Sequence, residues 1–206
     1  MTQMQPRADF YRFLSRLFQR EVNQTLIDHM QAMRFPIESS TDELRAGYQQ
    51  LQDFLANYEK SGLLDLEADY AKVFLGAGIS EGAAAFPYES VYTSPKKIMM
   101  QEARDQVMAI YQAKGLCLDQ GKTALMEDHA AIELEFMAGL CAEGNIEEQK
   151  VFLDQHLLNW LPKLCADIQK HARTDFYQGV AKITTGYLKL DRLNLDKMEG
   201  KSWGTL

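Results

Sequence analysis

Along most of the chain, apolar residues return every third or fourth position, and nowhere do they alternate strictly with polar ones over the length of a strand. The spacing predicts an all-α fold. Phe10, Phe13, Leu14, Leu17 and Phe18 share one stripe of a first helix, and a second, short helix covers Gln24–Met33. A third carries Leu44, Tyr48, Leu51, Leu55 and Tyr58, with Ser40, Thr41 or Asp42 to cap it and Gly62 to end it. A fourth runs from about Leu63 to Leu75. Pro95, behind Thr93 or Ser94, suits a first helical position and predicts a helix to Lys114, stopped by Gly115. The next helix contains the stretch MEDHAAIELEFM (126–137), runs to Ala142 and ends at Gly144. Asn145 with Glu148 three residues on forms a capping box for a helix striped by Val151, Phe152, Leu157, Leu158, Leu161 and Leu164, which Pro162 bends. Thr174 caps a last helix bearing Phe176, Tyr177, Val180, Ile183, Tyr187 and Leu188. Beyond about residue 190 the tail is expected to fray.

Two connections interrupt this pattern. GAGISEGAAAFPYESVYTS (76–94) is a long glycine-containing loop, and loops of that length inside a domain are more often functional than idle. Residues 115–125 form the other. With 206 residues and no internal repeat, the chain is expected to be one helical domain, 1–206.

A net charge of -7 argues against nucleic acid or an anionic membrane surface as the main partner and favours a basic one. Arg7, Asp9, Arg12 and Arg16 break up the apolar run a signal peptide would need, and no stretch reaches the length of a membrane span. Cys117, Cys141 and Cys165 are odd in number and form no CxxC pair, which suits reduced thiols in a cytoplasm. Each lies in an apolar helical pattern and is expected to be a small buried hydrophobe.

Glu127, Asp128 and His129, side by side at a helix start, are the candidate chemistry. There is no GxSxG elbow for a serine nucleophile, and GAGISEG lacks the lysine and the strand of a phosphate-binding loop. His129 and Glu133, four apart on one helix face, offer half of a metal site, the basis for an alternative reading as a metal-dependent helical-bundle enzyme. No second half appears in the sequence, so no metal or other cofactor is expected. The plainer reading makes Asp128 the N-cap and puts His129 in the first turn, where the helix dipole disfavours its protonation. Phe86, Tyr88 and Tyr92 can either plug the core from the loop or line a site.

EDHAAIELEFM, PYESVY (87–92) and ADYAKVFLGAG (68–78) together resemble the TorD/DmsD family of cytoplasmic redox-enzyme maturation chaperones, over roughly Phe10 to Leu190. Asp128-His129 followed by Glu133, Phe136 and Met137 is the most specific part of the likeness, and His156-Leu157-Leu158-Asn159-Trp160 resembles a further family segment. Where the family often carries Glu-Pro ahead of Asp-His, this chain has Ala124-Leu125-Met126-Glu127, and Tyr88 and Tyr92 stand where some relatives have tryptophans. The resemblance implies a helical bundle of the TorD/DmsD type and a chaperone, not an enzyme. Its partner would be the twin-arginine signal peptide or apo-form of a molybdenum-cofactor oxidoreductase, held in the cytoplasm until the cofactor is loaded. Asp128, His129, Pro87, Tyr88, Ser90 and Tyr92 would recognise the peptide, with Glu127, Glu89 and Phe86 adding charge and apolar surface. A guanine nucleotide has been proposed for the family, but no phosphate motif here supports it. Members can also exchange helices between protomers, so a homodimer hinged at 76–94 or 115–125 is allowed, as is a plain interaction module.

Overall fold

The computed structural model describes residues 4–38, 41–78 and 84–202, with side chains for 5–38, 41–78 and 84–198. Ser40, one of the expected caps, and 79–83 of the long connection lie outside the described residues. Within them the fold is all-α, and the only extended pairing is one isolated antiparallel bridge, Tyr88 to His129. Packing gathers the chain into two compact units, each discontinuous in sequence. The first takes the described residues up to Gln19, Pro87–Leu161 and those from Asp191 onward; the second takes those of Arg20–Phe86 and Pro162–Leu190.

The second unit contains α2 (Gln24–Ala32), α3 (Asp42–Ala56), α4 (Leu63–Leu75), residues 162–171 of α9 (Leu158–His171) and 175–190 of α10 (Asp175–Ser202). Leu44, Tyr48, Leu51 and Leu55 of α3 are buried, as their spacing predicts. Three glycines bring α3 and α10 unusually close. A Cβ at Gly47 would lie 2.8 Å from the backbone nitrogen of Ile183, one at Gly186 3.0 Å from that of Leu44, and one at Gly179 3.2 Å from that of Leu51. Asp69 of α4 is buried because its carboxylate accepts from the backbone N–H groups of Arg173 and Thr174 and from the Thr174 hydroxyl, fixing the turn into α10.

The first unit holds α1 (Met4–Gln19), α5 (Glu89–Thr93), α6 (Glu102–Ala113), α7 (Ala130–Glu143) and α8 (Ile146–Phe152). A π-helical turn, Leu153–Leu157, leads into 158–161 of α9, and 191–202 of α10 complete it. Helix α7 is apolar nearly all round, the signature of a helix enclosed on every side, and it packs along the whole of α1. Gly144, at φ +84°, ends it by exposing carbonyls that only a left-handed residue can close.

Four expectations change here. Residues 89–93 of the expected loop are helical, whereas Pro95 starts no helix. The chain from Ser94 to Gln101 is irregular, with Lys97 and Met100 left-handed and Ile98, Met99 and Met100 exposed; their apolar spacing has no core to face. The tail does not fray at residue 190. Asp191 there is buried and accepts from Arg7 (Nε 2.7 Å, Nη2 2.9 Å) and from the Tyr11 hydroxyl (2.8 Å), and Leu195, one turn on, is fully buried. Cys117 is exposed in the 115–125 connection, whereas Cys141 and Cys165 are buried, their thiols pushed up to about 12 by burial.

The α3–α10 contact yields a stability test. Gly47→Ala is expected to cost about 1–3 kcal/mol, because backbone rather than a flexible side chain meets the new methyl. Gly139→Ala, in α7 with open space around it, is expected to be neutral or to stabilise by up to about 1 kcal/mol. Urea unfolding of the two variants distinguishes them.

Candidate functional site

Helix α7 cannot start at Ala130 without satisfying its first N–H groups. His129, not Asp128, supplies the cap: its Nδ1 accepts from the Ala131 backbone N–H at 3.1 Å, so the ring proton resides on Nε2. Burial lowers the His129 pKa to about 3, keeping the imidazole neutral. Asp128 is displaced from the capping role because it lies in a turn, and His129, the extended residue before α7, pairs with Tyr88, the extended residue before α5. Glu89 N–H donates to the Asp128 carbonyl (2.9 Å), and Ala130 N–H donates to the Pro87 carbonyl (2.9 Å). The Asp128 carboxylate then caps a different helix: its Oδ2 accepts from the Ser90 N–H at 3.1 Å, in the first turn of α5.

This pairing brings most of the expected site residues together. Pro87, Ser90, Asp128 and His129 are buried within the junction, and Tyr88 lies half-buried with its ring edge-on to His129, 4.9 Å between centroids. Tyr92, also half-buried, stacks on the fully buried Trp160 at 5.8 Å. Glu127 is held by Arg104 (2.7 Å); burial raises its pKa, but the Arg104 and backbone hydrogen bonds outweigh that and lower it overall. Phe86 does not join them. It belongs to the second unit, where its exposed ring packs against Gly76. The connection 79–83 lies outside the described residues.

Beneath the junction lies a chain of buried polar groups that the sequence pattern does not announce. Trp160 Nε1–H donates to Glu133 Oε2 at 2.9 Å, and His156 Nδ1 lies 2.9 Å from Glu89 Oε2. Burial, and then the charge of Glu89, push Glu133 well above the ordinary carboxylate range. Asp128 Oδ1 and Glu133 Oε1 receive no hydrogen bond from the protein. Glu133 was legible only as half of a metal site with His129. Here the two side chains serve different partners, Ala131 and Trp160, and among the described residues no group of three histidine, cysteine or carboxylate side chains is placed to hold a metal. A glutamate in an otherwise apolar stripe, and His156 and Trp160 four apart on one face, were the available signals.

Because the folded pKa of Glu133 is raised, its contribution is complete below pH 4.5 and is lost as pH rises towards the folded value. Glu133→Gln keeps an acceptor for Trp160 and removes the ionisable group. It is therefore expected to gain stability relative to the parent chain between pH 5 and pH 8, whereas Glu133→Ala should cost about 1–3 kcal/mol at pH 5 by orphaning the indole N–H. Urea midpoints at the two pH values check this; a Gln-minus-parent difference independent of pH contradicts it.

Residues 38–166 match the family described as the nitrate reductase delta subunit. Chaperone protein TorD of Vibrio cholerae serotype O1 (strain ATCC 39315 / El Tor Inaba N16961) is 28% identical over 209 residues, covering 93% of this chain and 93% of its own. Chaperone protein TorD of Shewanella pealeana is 29% identical over 91% of this chain and 88% of its own. That of Vibrio atlanticus is also 29% identical, over 90% and 92%. Among the described residues no helix is long and apolar enough to cross a membrane. The matched span contains both halves of the paired junction, and the chain belongs to the nitrate reductase delta subunit family, the TorD/DmsD redox-enzyme maturation chaperones, which are not enzymes.

Proposed function

We propose that this chain is a cytoplasmic chaperone, acting as one domain, that binds the twin-arginine signal peptide or the apo-form of a molybdenum-cofactor oxidoreductase. It would hold the client until the cofactor is in place and then release it for export. The observation that carries this reading is the convergence of 87–92 with 127–129, where carboxylates meet half-exposed tyrosines in a chain of net charge -7. A leader with a cationic head and an apolar body needs both. Guanidinium–carboxylate pairing gives register, and apolar burial gives affinity. Tyr88 and Tyr92 offer ring faces on which an arginine is worth roughly 0.5–2 kcal/mol per contact. In this role Asp128, His129, Pro87 and Ser90 act from within the junction, fixing the wall that the tyrosines and Glu127 present.

Affinity capture with the full chain from its native cytoplasm, followed by mass spectrometry, tests the reading. The expected partner is an oxidoreductase precursor that still carries its leader. Asp128→Ala combined with His129→Ala is expected to reduce that capture several-fold, since roughly 1–3 kcal/mol of junction hydrogen bonding is removed, while far-UV circular dichroism stays helical. Recovery of no oxidoreductase, or of mature enzyme alone, contradicts it.

A further inference from the structure

A polar cleft of about 410 Å³ opens in the first unit over Glu89, between the 93–106 segment and the start of α9. Glu89 lines the floor of the cleft; its side chain is 2% exposed, with the carboxyl turned in to His156 (2.9 Å). The surrounding groups present hydrogen-bond acceptors. Gln101 spends its amide N–H groups on the carbonyls of Met99 and Met100 (3.0 and 2.9 Å), which leaves its oxygen. Gln106 turns its amide nitrogen to Glu102 (3.2 Å), and the Thr93 hydroxyl donates to the Glu89 carbonyl, which leaves its lone pairs. Lys96, fully solvent-facing, is the one cation on the lining.

Behind this floor three carboxyl groups lie close together. Glu89, Glu133 and Asp128 act on one another in a buried region. Two of their oxygens, Asp128 Oδ1 and Glu133 Oε1, receive no protein hydrogen bond; among the described residues His156 pairs with Glu89, and Arg104, bound to Glu127, also acts on Asp128. Excess negative charge out of water is costly unless a cation reaches it. A guanidinium suits the approach better than an ammonium, since it offers five donors in a flat fork to carboxylate and amide oxygens together. Beside the cleft, Ile98, Met99 and Met100 stand exposed on backbone held left-handed at Lys97 (φ 52°) and Met100 (φ 60°), conformations that non-glycine residues occupy at a cost. Methionines in such a position adapt to varied apolar partners.

We infer that this cleft is an arginine-reading subsite: an arginine side chain of the client segment enters over Glu89 and pairs with its carboxylate, while the flanking apolar residues of the same segment lie on Ile98, Met99 and Met100. The inference rests on the leader-binding reading above and locates its cationic contact away from the buried Asp128 and His129.

The probe is a synthetic peptide with two adjacent arginines followed by a leucine–alanine run, compared with the same peptide carrying citrulline at both positions. Calorimetric titration of the full chain is expected to favour the arginine peptide by at least about tenfold, the scale of a charge-assisted contact. Glu89→Gln, which removes the charge but keeps an amide to meet His156, should reduce that preference to less than about twofold. Gln155→Lys, at the exposed mouth of the cleft, should do the same by filling it with an ammonium, and it leaves the buried groups untouched. An arginine preference that survives Gln155→Lys overturns the subsite and leaves leader binding standing. Failure of the parent chain to bind either peptide overturns both.

Discussion

The site depends on one requirement: two segments that meet where α5 and α7 begin, 87–90 and 127–130, are largely buried inside a helical unit and must satisfy their polar groups there. They do so by pairing with each other, Glu89 to Asp128 and Pro87 to Ala130, with the Asp128 carboxylate closing on Ser90. That pairing starts α5 and α7 from a common base. It also decides which way the side chains on each stretch point. Tyr88 faces His129, Glu89 turns in towards His156, and the first turn of α7 delivers Glu133 to Trp160.

Burying carboxyl groups in this number costs stability, and the hydrogen bonds around them offset the cost only in part. The Trp160 indole, His156 and the Ser90 amide each meet one oxygen, while Asp128 Oδ1 and Glu133 Oε1 are left without a protein donor. Incompletely compensated charge of this sort concentrates at functional sites. In this chain it underlies a polar cleft. The apolar enclosure of α7 by α1, tied at Ser15 to the Ala131 carbonyl and at Arg7 to Asp191, holds the arrangement in place.

Helical periodicity made α1, α3, α4 and the end of α7 legible from the sequence, because each buries a regular stripe; Gly144 ends α7 as expected, whereas α3 stops at Ala56, short of the expected Gly62. The family likeness also marked the two stretches that meet. What could not be read were features set by distant partners. Asp128 looks like a cap for its own helix, and only its contact with Ser90, 38 positions away, makes it the cap of another. Asp191 looks like part of a polar tail until Arg7, 184 positions away, pairs with it. Pro95 looks like a helix start, but among the described residues Ile98–Met100 stay exposed. Gly47, Gly179 and Gly186 have no periodic signal at all, since the reason for them is the proximity of another backbone.

Native-state hydrogen exchange on the full chain, with and without the arginine-bearing peptide, examines the central claim most directly. The amides of Glu89, Ser90 and Ala130 are expected to exchange as slowly as those in the middle of α7 in the free chain, marking a preformed floor. Added peptide should slow exchange only in the neighbouring 96–101 segment and around Gln155. Exchange at the Glu89 and Ala130 amides as fast as at an exposed loop, becoming slow only when peptide is present, would mean that the client builds the junction and would contradict the account.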